Sequence, residues 1–137
     1  MTLVDWREEV AQHEAAHAAA LRFYGWQPKV EVGLVPDWDG GHLGRVTVVG
    51  PDGDDWSPLA SCVVAYAPAV VVFGGSSWED DAFGRDRANV EDSTPALWKP
   101  YPAAWLSKVH DEAVEIVRAD EYRLLWWEEL QKLKGAA

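Results

Sequence analysis

The chain has 137 residues, 48% of them apolar, which suits one domain spanning 1–137 with its own core and argues against disorder. Twelve basic against 23 acidic residues give a net charge of −11, which opposes binding to nucleic acid or to an anionic membrane surface. The single cysteine, Cys62, excludes an intrachain disulfide and fits a reducing, cytoplasmic setting.

The first helix is predicted from Leu3 to Tyr24. Leu3, Trp6, Val10, His13, His17, Leu21 and Tyr24 recur at spacings of three and four and fall within an arc of roughly 100°. That stripe turns both histidines inward and leaves Glu14 at its edge. Gly25 and Pro28 end the helix. The stripe carries His13-Glu14-Ala15-Ala16-His17, an HExxH pattern. Imidazoles at i and i+4 on one helix face can bind one zinc ion, and the glutamate between them can act on a water at the metal. A lone histidine on such a stripe reads as an ordinary core residue; a pair at this spacing around a glutamate reads as a metal site.

Alternation at Val30, Val32 and Leu34, and again at Val46 and Val48, predicts two short strands joined by the turn-rich stretch from Pro36 to Gly41. An acidic loop, Gly50 to Trp56, follows. Ser57 then caps a helix with Pro58 in its first turn; this helix runs to about Phe73 and is expected to be the central buried one, kinked or split at Pro68. Gly74-Gly75 ends it. Ser76 to Arg85 is acidic and irregular. A short helix starts between Asp80 and Asp86 and stops before Pro95. Ala103 to Lys134 reads as one or two amphipathic helices, with Trp105, Val109, Val114, Ile116, Val117, Leu124, Leu125, Trp127 and Leu130 as core candidates. The sum is a mainly α fold with a small β-hairpin. The most apolar stretch, Leu59 to Phe73, is too short to span a bilayer comfortably, and Met1 to Val10 lacks the apolar run of a leader peptide.

Catalytic zinc usually has three protein ligands and one open position, so a third ligand is needed. Ala20 and Phe23 stand where a longer HExxHxxGxxH pattern would place its glycine and histidine, and Leu59 to Phe73 holds no carboxylate. The acidic segment after Gly74-Gly75 is the nearest source of oxygen ligands.

Three blocks resemble the peptidase domain of FtsH-type zinc proteases, the ATP-dependent membrane-anchored family. They are His13 to Ala20; Val30 to Val46 with Gly41-His42-Leu43-Gly44; and Ala65-Tyr66-Ala67-Pro68-Ala69 leading to Phe73-Gly74, an acidic segment and Asp86-Arg87-Ala88. The likeness extends from about residue 5 to 92, and the remainder is alike only in being helical. It implies an FtsH-peptidase-like helical bundle with HExxH on the first long helix. It also implies metal ligands His13, His17 and Asp86, with Asp81 as the alternative third ligand and Asp80 behind it. Glu14 would be the general base in hydrolysis of peptide or protein substrates. Two departures stand out: Val70 and Val71 occupy the place of the family's glutamate pair, and the sequence shows neither an ATPase module nor a transmembrane segment, which leaves a separate ATPase as an open partner. The competing reading is an inactive zinc-binding or interaction module on a peptidase-like fold. A regulatory protease with one partner is a third.

The other chemistry-bearing residues have ordinary readings. His42 lies in a glycine-rich turn on the substrate side or simply exposed, His110 on a helix surface, and Cys62 in the core. Trp38, Trp56 and Trp78 fall in polar loops and are candidates for a binding surface among nine tryptophans.

Overall fold

Five helices and one antiparallel strand pair make up the described structure, a computed structural model covering residues 3–36, 42–49, 57–73 and 84–135. In chain order these are α1 (Leu3–Phe23), β1 (Gln27–Pro36), β2 (His42–Val49), α2 (Pro58–Phe73), α3 (Gly84–Ser93), α4 (Pro102–Arg118) and α5 (Asp120–Gly135), with a single 3-10 turn at Ala96–Trp98. The mainly α character and the strand pair are as expected. The acidic segment before α3, and with it Asp80 and Asp81, lies outside the described residues, as do Trp38, Trp56 and Trp78. Among the described residues, no helix is long and apolar enough to cross a membrane.

Local chemistry sets the helix ends. Past Phe23, the Gly25 amide donates to the Arg22 carbonyl and the Trp26 amide to the Leu21 carbonyl, both at 3.0 Å. Gly25 sits between them at φ +89°. This double closure needs a left-handed residue that only glycine adopts without strain. At the start of α2, Ser57 Oγ accepts from the Ala60 amide at 3.4 Å and the Ser57 carbonyl takes the first helical bond from Ser61. Pro58 follows the cap directly, where its missing N–H costs nothing. α4 likewise opens on proline. The last third divides into two helices because Ala119 is extended, at φ −68° and ψ 138°.

β1 and β2 pair from Gln27↔Val49 to Glu31↔Arg45, then resume at Val35↔Leu43. Between those points β1 carries two more residues than β2, so the simple alternation expected along Val30, Val32 and Leu34 is broken by a bulge. Both strands lie against α1.

α2 is buried in the core as expected, and α1 shares that central position. α1 packs on α2, α5, β1 and β2, while α2 packs on α1, α3 and α4. From Glu14 to Leu21 every residue of α1 is buried, so the helix has an interior position rather than a one-sided stripe. Its run of alanines permits this, because small side chains let helix backbones approach closely. One core cluster joins Ala19 and Ala20 of α1 to Cys62, Val63, Ala65, Tyr66, Ala67 and Ala69 of α2 and to Trp105, Val109, Ala113 and Ile116 of α4.

Two core assignments in α5 are also corrected: Leu124 is 58% and Trp127 56% exposed. The break at Ala119 resets the helical phase. The inward stripe of α5 becomes Tyr122, Trp126, Leu130 and Leu133, spaced by three and four. Tyr122 donates from its hydroxyl to the Ala16 carbonyl at 2.9 Å, fastening α5 to α1 just before His17. Burial pushes its phenol strongly up, so it stays a donor. Tyr122→Phe should therefore lower stability by about 1 kcal/mol in chemical denaturation; an unchanged midpoint would mean the bond contributes nothing net. A second fastening sits at Arg22, whose guanidinium donates to Glu128 at 2.9 Å and to the buried Glu129 at 3.1 Å. Lys132 completes the pairing of Glu129 at 3.1 Å.

Candidate metal centre

α1 places His13 and His17 one turn apart on the same face, with ring centroids 4.9 Å apart. Opposite them stands Asp86, in the first turn of α3. Its carboxylate is divided between the two rings. Oδ2 lies 3.0 Å from His13 Nε2 and Oδ1 lies 3.3 Å from His17 Nε2. All three side chains are at least mostly buried, His17 and Asp86 at 8% and 7% exposure.

The far side of His17 decides what its near side can do. Nδ1 lies 2.7 Å from the Val64 carbonyl of α2. A carbonyl oxygen can only accept, so the proton is on Nδ1. Nε2 then either carries a second proton or turns a lone pair toward Asp86. A lone pair does not rest 3.3 Å from a carboxylate oxygen in a buried site without a cation to share. The site therefore calls for positive charge, supplied by a proton or by a metal ion.

Without metal, the proton takes this role. Burial pushes the His17 imidazole down, but the Asp86 charge and hydrogen bond, the Glu14 charge and the bond to Val64 outweigh it and raise the group from 6.5 to about 9. Burial pushes Asp86 up, and the charge of His17 with the hydrogen bonds from both histidines overrides it, lowering the carboxyl from 3.8 to about 2.

The two histidines also belong to a group that can hold a metal. Donor atoms of His13, Glu14 and His17 lie within 4.8 Å of one another, forming a group that can hold a metal ion. Asp86 sets one carboxylate oxygen 3.0 Å from His13 Nε2 and the other 3.3 Å from His17 Nε2, so a carboxylate stands beside both imidazoles. Two imidazoles and a carboxylate are ligand types that several divalent transition metals accept. The Nδ1–H bond to a backbone carbonyl orients a ligating histidine and fixes which nitrogen faces the ion.

The structure thus brings together all four expected site residues, His13, Glu14, His17 and Asp86. Glu14 is a correction in one respect: at 8% exposure it is as buried as His17, rather than lying at the margin of a stripe. His42 begins β2, and its side chain is outside the described residues. Cys62 is buried in the core as expected, and burial raises its thiol pKa, so it is held as a thiol. His110 is not a plain surface residue: its Nδ1 lies 2.7 Å from the Tyr66 hydroxyl, tying α4 to α2. Val70 and Val71 pack against the core. The Val64 carbonyl was beyond residue-type reasoning, because a backbone atom leaves no residue-type mark.

Neither the known family models nor the curated proteins give a match to this chain. The geometry itself defines the class that can be stated: a helical protein bearing a His-Glu-x-x-His group on its first helix that can bind a metal ion.

Proposed function

We propose that the protein is a zinc-dependent metallopeptidase with His13, His17 and Asp86 as metal ligands and Glu14 as general base. The observation that carries it is one buried carboxylate bonded to Nε2 of both HExxH histidines, with Glu14 buried in the same space. Bound there, zinc would supply Lewis acidity, bringing a water near a pKa of about 7 and polarising a substrate carbonyl.

The chain's own residues do the rest. Asp86 touches both imidazoles directly, and Glu14 is buried beside them on the same helix. Its carboxylate would receive the proton of the attacking water and return it to the departing amine. Val64 holds His17, and the α1–α5 fastenings hold the helix that carries three of the four groups. An extended peptide can add to an outer edge of the β1–β2 pair, both strands of which lie against α1. Substrates under this reading are peptides or unfolded segments of proteins, cleaved by a single cytoplasmic domain of FtsH-peptidase type to which a separate ATPase could supply unfolded chain.

The rival reading, a non-hydrolytic interaction module, is favoured by the exposed Leu97, Tyr101, Leu124 and Trp127. Metal analysis and peptide turnover separate the two. The peptidase reading expects about one zinc per chain and zinc-dependent cleavage of an unfolded protein substrate that chelation stops. Protein that takes up no zinc overturns both the metal and the hydrolysis. Protein that binds zinc and cleaves nothing favours the module.

A further inference from the structure

Pro68 lies inside α2 and is fully buried. A proline there is costly in a helix: it has no N–H to give, and its ring crowds the carbonyl four residues before it. That carbonyl belongs to Val64. It is the same carbonyl that accepts the Nδ1–H of His17 at 2.7 Å. The alanine-rich meeting of α1 and α2 brings the two helices close enough for an imidazole on one to reach the backbone of the other.

We propose that Pro68 is a positioning residue for His17, because it withholds the helical N–H from Val64 and so leaves that carbonyl to the imidazole. The consequence is a ring fixed with Nε2 turned toward His13 and Asp86. The purpose of this arrangement rests on the zinc reading above; the hydrogen bond itself does not. An alanine at 68 would set an N–H in line with the Val64 oxygen and let the helix close over it. The carbonyl would then be shared, and the histidine would lose its fixed orientation.

Two variants test this. Pro68→Ala restores the N–H. Replacing Pro68 by lactic acid, through an ester linkage, removes the ring yet still supplies no N–H. In metal-free protein with ring-labelled histidine, proton–nitrogen NMR should find a slowly exchanging His17 Nδ1–H in the wild type and in the lactic-acid variant, and a fast-exchanging one in Pro68→Ala. Competition with a chromophoric chelator should find zinc bound about tenfold more weakly by Pro68→Ala, and nearly as in the wild type by the lactic-acid variant. Thermal unfolding should move the other way, with Pro68→Ala melting higher than the wild type because a helix-interior proline has gone. A merely structural proline would shift stability and zinc affinity together.

Equal protection of Nδ1–H in Pro68→Ala and the wild type overturns the proposal, and so does unchanged zinc affinity in Pro68→Ala where the wild type binds zinc. If the wild type binds no zinc, the metallopeptidase reading fails and the NMR comparison still decides the role of Pro68. If Pro68→Ala does not fold, the lactic-acid variant decides: loss of its protected Nδ1–H overturns the proposal, and retention supports it.

Discussion

Glu14→Gln should lower the rate of peptide hydrolysis by about 10²–10⁴-fold, the span typical of removing a general base, while zinc stays bound at the wild-type level. The amide keeps the shape of the carboxylate and can hydrogen-bond, but it cannot take a proton. The site should tolerate the change, because Gln suits a helix interior as Glu does and because Asp86 stands against both histidines. The measurements are steady-state cleavage of an unfolded protein substrate and elemental analysis of the purified variant. Wild-type turnover in Glu14→Gln would sink the proposed role. Loss of zinc would instead make Glu14 a ligand, an outcome its place in the 4.8 Å donor group makes worth testing directly.

The elements most legible in the sequence are those whose signals are local. The HExxH pattern needs only a helix to bring its histidines together, and Gly25, Ser57 and Pro58 act within a few residues of themselves. What stayed out of reach depends on the phase of an element or on tertiary contact. One extended residue, Ala119, turns α5 so that Trp126 faces inward and Trp127 outward, and adjacent apolar residues carry no sign of which will be buried. Tyr66 and His110 are 44 residues apart in sequence and meet only when α2 packs on α4. Glu14 is deeper than its stripe position implied because α1 has neighbours on several sides, a property of the assembled helices rather than of the helix. Asp86 occupies an intermediate place. Resemblance singled it out among several acidic residues, and the packing of α2 with α3 brings it within 3.0 and 3.3 Å of the two imidazoles.

Asp86 carries the second large effect, and it has a pH signature. His17 is raised from 6.5 to about 9 by its surroundings, chiefly Asp86 against the opposing pull of burial. A group raised on folding contributes stability that is full below its unfolded value and is lost as pH climbs to its folded one. Metal-free protein should therefore lose stability between about pH 6.5 and 9, on the order of 3 kcal/mol for a shift of this size. Asp86 is lowered from 3.8 to about 2, so its contribution is present above 3.8 and is lost as pH falls toward 2. Both limbs describe one buried interaction and do not add. The expected profile in denaturant titrations is a plateau from about pH 4 to 6.5 with a fall on either side, flattened on the alkaline side by Asp86→Asn. Zinc reverses the alkaline dependence, because a ligating His17 must give up its Nε2 proton. Apparent zinc affinity should rise about tenfold per pH unit up to about pH 9 and then level off, the sign of one released proton. Asp86→Ala should weaken zinc binding by more than the about 10–100-fold of losing an outer partner, and should abolish hydrolysis with it. An Asp86→Ala protein that keeps wild-type zinc affinity would remove Asp86 from the ligand set, and a pH-independent affinity would remove the competition between proton and metal at His17.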